Sequence, residues 1–187
     1  SNGGTGTMEV TMTDAAANYD SVNITINRVE VNRERDSGSS EDSVNNGWTT
    51  ISDQQMKVNL LDLTNGTQIS LGSEELEAGN YAQIRLVLGD DNTVTVDGET
   101  YDLQTPSAQQ SGLKLNVNAE IEDGETYSLL IDFDAARSIV QQGNGGYLLK
   151  PVLRAVQLAE TGSIGGNVQP TDFNTNVLAV MDDDTVT

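Results

Sequence analysis

Two short motifs in this sequence carry residue types that elsewhere perform acid–base or covalent chemistry. Asp36-Ser37-Gly38 has the form of an aspartic-protease triplet, which needs two carboxylates about 3 Å apart sharing one proton. It lies in residues 33–47 (RERDSGSSEDSVNNG), a polar Ser/Gly-rich stretch without the apolar framework that would hold it, and it reads as loop. Ser111-Gly112-Leu113-Lys114 has the S-x-x-K form of acyl-serine enzymes, where the motif opens a helix so that Ser and Lys share a face. Here Leu113, Leu115 and Val117 alternate with polar residues, which places Lys114 on a strand, and no K-T-G partner occurs. The expected work of Lys114, Lys150 and Arg137 is instead to pair with carboxylates such as Asp132.

The sequence has no His and no Cys. Without Cys there are no disulfides, thiolate nucleophiles, zinc–thiolate sites or iron–sulfur clusters. Without His the commonest general base and the Ser-His and Cys-His dyads are gone. Carboxylate pairs, Lys and Tyr remain, and a carboxylate-pair glycosidase needs two acids roughly 5–10 Å apart across a cleft. The 4% aromatic content argues against it, since sugars are gripped on rings. No catalytic residue is assigned.

Three acidic clusters are candidate Ca²⁺ sites: Asp90-Asp91-Asn92, Glu120 with Glu122-Asp123, and Asp182-Asp183-Asp184. Ca²⁺ takes roughly six to eight oxygens, which adjacent loops could supply, but none has the EF-hand spacing. Asp90, Asp91 and Asn92 are the preferred set, and Ca²⁺ is the one cofactor the sequence suggests. Asn23-Ile24-Thr25 and Asn65-Gly66-Thr67 have the form of glycosylation sequons, the second at a turn and the more accessible.

Nine Lys plus Arg stand against 29 Asp plus Glu, a net charge of −20. Nucleic acid and anionic membrane surfaces are repelled by such a chain, because both need clustered cations. The first reading of so much acid is solubility and mutual repulsion, in surroundings salty enough to screen it. No apolar run approaches the roughly 20 residues of a membrane helix. No basic region followed by an apolar stretch opens the sequence, so any export signal is expected to have been removed.

The elements that must position these residues are strands. Hydrophobic residues make up 36%, so the core is thin and built from Val, Ile and Leu, which suits packed sheets. Val22, Ile24 and Ile26 are apolar on even positions, Val29 and Val31 on odd ones. A strand cannot change faces without an extra residue, so a β-bulge is predicted near Asn27 and Arg28. Strands are also predicted over 8–12, 48–51, 58–63, 67–71, 82–88, 94–96, 101–103, 113–117 and 127–133, with a long closing strand over 147–158. Asn65-Gly66 and Asp97-Gly98 are turn signals. Residues 74–78 are read as a helical turn closed by Gly79, and 135–140 as a short helix capped by Asp134 and ended by 143–146 (GNGG).

A family is recognisable in the order of 10–15 (VTMTDA), 22–31 (VNITINRVEV), 60–66 (LLDLTNG), 78–88 (AGNYAQIRLVL), 106–115 (PSAQQSGLKL), 132–140 (DFDAARSIV) and 147–153 (YLLKPVL). Over roughly residues 7–160 the chain resembles the domain-of-unknown-function family 4382 of secreted prokaryotic lipoproteins. The resemblance implies an exported, surface-associated β-sandwich and no activity. Family members usually carry a lipobox cysteine before a small polar stretch like 1–6 (SNGGTG). That cysteine is absent here, and a lipid anchor on the precursor is what the resemblance implies. Residues 162–168 (GSIGGNV) look like the opening strand of a carboxypeptidase-regulatory-like module.

The fold expected is all-β: an antiparallel sandwich of Greek-key, prealbumin- or immunoglobulin-like type with one short helix. A tail (1–6), a sandwich domain (7–160) and a C-terminal strand extension (161–187) make up the chain. In that extension 163–168 and 176–181 (NVLAVM) are strand candidates. Two strands alone cannot bury a face, so if the segment is ordered Ile164, Val168, Val177, Leu178 and Val180 are expected to pair with the same domain or with a neighbouring copy; the third reading is a truncated second module that is poorly ordered. The function expected is a structural protein of the cell exterior, its copies joined into a filament by strand donation. The alternative is a monomeric lipid-anchored adhesion or ligand-binding module dependent on Ca²⁺.

Overall fold

A computed structural model describes residues 3–33, 47–105, 111–158, 179–181 and 184–186. Alternation becomes two sheets with their apolar faces together. The smaller has the order β13-β10-β1-β5, from β1 (Thr5–Asp14), β5 (Ile69–Glu77), β10 (Thr126–Phe133) and β13 (Leu153–Gln157). The larger runs β11 (Ile139–Gln141), β12 (Tyr147–Leu149), β8 (Glu99–Gln104), β7 (Thr93–Val96), β2 (Ser21–Arg33), β6 (Gly79–Leu88), β9 (Leu113–Ile121). Two short strands, β3 (Trp48–Ser52) and β4 (Met56–Asn59), also pair with β2. Most pairings are antiparallel, but β1 lies parallel to β10 and β12 parallel to β8.

Met8, Val10 and Met12 of β1 and Leu129, Ile131 and Phe133 of β10 face Ile24, Ile84, Leu86 and Leu88 of the larger sheet. All are at most 2% exposed. Each such side chain contributes about 1.5–3 kcal/mol by leaving water, so this layer is what holds the sheets together. The predicted bulge in β2 is present: the ladder to β6 shifts between Ile26 and Arg28, and Val22, Ile24, Ile26, Val29 and Val31 all end up buried. Asp97 and Gly98 take φ of 50° and 80°, the left-handed pair a tight hairpin turn requires, and join β7 to β8.

Several local readings are corrected. Residues 74–78 form no helical turn: β5 runs to Glu77, with Glu74 and Leu76 opposite Met8 and Gly6, and ladder pairing overrides local helix preference. The strand expected over 58–63 stops at Asn59, whose side chain accepts from the Leu61 amide and caps a 3-10 turn, Leu60–Leu63. The helix expected over 135–140 is the single turn α1 (Ala135–Ser138), after which the chain becomes β11; the Asp134 carboxylate caps it through the Arg137 amide at 3.0 Å, as expected. The long closing strand is two strands in two different sheets. Pro151 lacks a ladder donor, and there the chain crosses over, held where Lys150 N–H donates to the Ser138 carbonyl and Val152 N–H to Ser138 Oγ. Finally β14 (Ala179–Met181) pairs antiparallel with β15 (Asp184–Val186), with Val180 opposite Thr185.

Candidate functional site

The chemistry-bearing features gather at the corner where β13 ends the smaller sheet. The Leu158 amide donates to the Ser128 carbonyl at 2.9 Å and the Asp134 amide to the Val152 carbonyl at 3.0 Å, which fixes the hydrogen-bonded pairs of β10 and β13. In an antiparallel pair the residues between point their main-chain groups the other way. Leu153, Ala155 and Gln157 therefore aim N–H and C=O outward, where the sheet has no further strand among the described residues. On the same strand Val156 is 40% exposed. Strand β9, the edge of the larger sheet, lies against β13. Leu115, Val117, Tyr127, Leu153 and Ala155 pack on the core here but stay only partly buried.

At the N-terminal end of β13 an open cleft of about 440 Å³ is lined by Ala15, Asp132, Asp134, Arg137, Val152, Leu153 and Arg154. Arg154 holds Asp132 at 2.6 Å, on the outer face of the sheet. Asp14, in phase with Met8, Val10 and Met12, points inward at the end of β1 and is 5% exposed. Its Oδ1 accepts the Ala135 amide at 2.9 Å, while Oδ2 meets no donor among the described residues. Burial pushes its carboxyl up to about 6, and the nearby Asp134 and Asp132 charges add to the rise. The cleft is thus a mixed-charge surface whose acids already have structural work: Asp132 with Arg154, Asp134 on α1.

The residues singled out in the sequence fall in different places. Asn92 is 2% exposed; its Oδ1 accepts the Thr25 amide at 2.8 Å, and its Nδ2 donates to the Gly89 carbonyl at 2.7 Å and Thr105 Oγ1 at 3.2 Å. Asp91 faces the other way, to Lys57 Nζ at 2.7 Å, and Asp90 is exposed. Asn92 thereby ties β2 to the end of β8, and its oxygen is already satisfied. Asp123 accepts the Thr5 amide at 3.1 Å and anchors the start of β1. Among the described residues no group of three or more acidic side chains is placed to hold a metal ion. The Asp36 triplet, Asp182, Asp183, Ile164, Val168, Val177 and Leu178 lie outside the described residues.

Lys114 is on a strand, as its neighbours' alternation predicts. The expectation that Lys114, Lys150 and Arg137 pair with carboxylates such as Asp132 is corrected: Asp132 takes Arg154, and the ion pairs among the described residues use Arg28, Arg33, Lys57, Arg85 and Arg154. Sequence reasoning missed two features. The edge of β13 was hidden inside what reads as one long strand, 147–158, with Pro151 as its signal. Asp14 was visible as an acid on the apolar phase of β1. Of the sequons, Asn23 sits on the central strand β2, while Asn65 is exposed with φ 58°.

Among solved structures, the chain is similar to a "putative cell adhesion protein" from Bacteroides fragilis, at 13% identity and a TM-score of 0.35. The likeness covers 86% of this chain and 47% of that one. Among curated proteins no significant relative is found. The family described as Domain of unknown function (DUF4382) matches residues 5–151. That span takes in every strand from β1 to β12, and the chain belongs to this family.

Proposed function

We propose that this chain is a non-catalytic structural protein of the cell exterior whose copies join by adding a strand to the free edge of β13. The observation that carries the reading is the outward main chain of Leu153, Ala155 and Gln157 beside apolar side chains left partly in water. Strand addition satisfies both, since main-chain hydrogen bonds supply affinity and alternate side chains set register. The incoming strand we assign to residues 176–181 of a second copy, with Val177, Leu178 and Val180 as its apolar side chains; Ile164 and Val168 precede it.

Reach supports this assignment. Seventeen residues (159–175) separate the end of the sandwich from the donated segment, and extended chain spans about 3.3 Å per residue, or about 56 Å in all. The β14–β15 hairpin is a weak competitor, because an isolated two-stranded hairpin is marginal in water. A head-to-tail contact of this kind grows as an open filament.

The test is Ala155→Pro. This residue's N–H points outward, so proline removes a donor from the edge and none from the β10 ladder. Wild-type protein is expected to form linear polymers under electron microscopy, and the variant to remain monomeric in light scattering with a near wild-type unfolding midpoint. Polymers formed equally well by the variant, or by a chain lacking residues 163–187, would refute strand addition.

A further inference from the structure

Strand β13 ends in opposite electrostatic surroundings. Before Leu153 the chain runs through Lys150, Pro151 and Val152 against α1, whose Ser138 carbonyl accepts the Lys150 amide. This end gathers Arg137, Lys150 and Arg154, three of the nine bases in the sequence. Arg137 and Lys150 are exposed and form no ion pair among the described residues. The acids here are Asp132, held by Arg154, Asp134, which caps α1, and the buried Asp14. Even with Asp14 ionised, three bases balance three acids. After Gln157, the Leu158 amide donates to the Ser128 carbonyl, and beyond it lies the turn that joins β9 to β10. That turn and its flanks carry Glu120, Glu122, Asp123 and Glu125, all exposed, and no Lys or Arg occurs between residues 115 and 136. Arg33, at the end of β2, is committed to Glu77.

The segment assigned to this edge is charged at one end only. Residues 176–181 (NVLAVM) carry no charge, and Asp182-Asp183-Asp184 follow directly. Main-chain hydrogen bonds form in either strand direction, so the edge alone does not choose one. The acid triplet does. With a rise of about 3.3 Å per residue it extends about 10 Å past the last paired residue. In a parallel strand it runs toward Glu125 and the acidic turn, about two strand spacings away, a distance over which charges at 0.1 M salt still interact. In an antiparallel strand it runs alongside Val152, Pro151 and Lys150, toward the two unpaired bases.

The side chains fit the same direction. Matching 176–181 antiparallel to 153–158 sets Val177, Ala179 and Met181 opposite Gln157, Ala155 and Leu153, the residues whose main-chain groups point outward. Opposite residues of an antiparallel pair share a face, so these three join Leu153 and Ala155 on the core side, where both are partly buried. Leu178 then falls beside Val156, which is 40% exposed and lies opposite Leu130 on β10. Continued by three residues, this register brings Asp184 opposite Lys150.

We infer that the incoming strand runs antiparallel to β13, and that Asp182, Asp183 and Asp184 of one copy seat on Arg137 and Lys150 of the next. This inference rests on the reading that the β13 edge receives a strand from a second copy. Hydrogen bonds and apolar side chains then supply affinity, while the charges at the two ends of the edge supply direction. The β14–β15 hairpin, in which Met181 pairs with Asp184, opens as its residues are donated. The charge pairs are exposed, so salt weakens the choice of direction before it weakens the ladder.

The experiment is cysteine cross-linking of the full chain, which has no Cys of its own. Gln157→Cys is combined with Val177→Cys, its opposite residue in the antiparallel register, or with Val180→Cys, its opposite in the parallel one. The mismatched position lies three residues off, about 10 Å away, beyond the roughly 7 Å between α-carbons that a disulfide spans. Expected on a non-reducing gel is a ladder of linked chains from the Val177→Cys pair and less than a tenth as much from the Val180→Cys pair. A ladder chiefly from Val180→Cys, or equal ladders from both, overturns the inference and leaves strand addition standing. No ladder from either, with wild-type polymers that Ala155→Pro still abolishes, likewise overturns the inference alone. Absence of wild-type polymers, or a cross-link within single chains, overturns both. Arg137→Glu with Lys150→Glu should raise the concentration needed for polymers about tenfold, the size of two exposed charge pairs. Adding Asp182→Lys, Asp183→Lys and Asp184→Lys should restore it. Indifference to the double reversal overturns the assignment of the triplet to this corner.

Discussion

The two corners of this sandwich are finished by opposite means. Where β3 meets β5, the strands come so close that a β-carbon on Gly72 would lie 2.7 Å from that of Ser52 and 3.3 Å from the Ile51 carbonyl. Gly72 also holds a φ of 148°, a conformation that residues with a side chain rarely adopt. The apolar residues beside it, Ile51 and Leu71, are 4% and 1% exposed. Along β5 the outer edge carries Glu74, Glu75 and Glu77, all exposed, and charges on an edge discourage another strand from pairing. Where β9 meets β13 there is no such glycine, Leu115, Val117, Leu153 and Ala155 stay partly wet, and the edge bears an exposed Val156. One corner is sealed and guarded. The other is open and carries on β13 a single charge, Arg154, already paired with Asp132, and the proposed association is to be sought there.

The comparison can be broken by measurement. Gly72→Ala should cost about 3 kcal/mol in urea unfolding, because it combines a disfavoured φ with a clash against the Ser52 β-carbon; a cost near zero would mean that the closed corner has slack. At the next level, Ile51→Ala should cost about 3 kcal/mol and Val117→Ala about 1, since a partly exposed site loses less transfer energy and leaves no sealed cavity. Equal costs would show that the two corners are closed alike.

The subtlest effect is a pH slope at Asp14, beside the open corner. Its folded carboxyl titrates near 6 rather than at its ordinary 3.8. Between these values the folded state holds a proton that the unfolded state has released, so this group makes stability fall as pH rises from about 4 to 6. Above that window the full penalty is present. Asp14→Asn keeps the acceptor for the Ala135 amide and removes the charge, so its stability relative to wild type should climb across the window and then level off. A constant difference between the two proteins from pH 4 to 7 would mean that the buried carboxyl titrates normally.

The β-rich fold was legible because alternation is a local signal. Met8 to Met12 and Ala82 to Leu88 display it openly, and the change of phase in β2 foretold its bulge. What stayed hidden was pairing. Residues 74–78 look helical by composition, and only their ladder with β1 makes them strand. The strand-like stretch 147–158 does not show that its halves serve different sheets; Pro151 marks the break but not the destination. Asn59 reads as part of a strand and Asn92 as a candidate Ca²⁺ ligand, while in the fold Asn59 stops a strand and Asn92 bridges two. The row of Glu30, Arg85 and Lys114 across β2, β6 and β9, with Arg28 bonded to Glu30, was invisible for a related reason. Arg28, Arg85 and Lys114 are far apart in the chain, and only the registers of three strands bring them into one patch.

The placement of β1 governs the order in which the chain can be built. It lies between β5 and β10, and its parallel pairing joins Thr7 to Thr126 and Asp14 to Phe133. Ring closures of that size are slow, because chain entropy is lost before the new contacts return anything. Strand β1 therefore waits for β10 to complete its sheet: pairing with β5 closes one of its edges early, and the other edge, from Thr7 to Asp14, has no partner until residues 126–133 have been made. A chain assembled in this sequence is open to interception, by a chaperone or an export machine, until its final third has arrived.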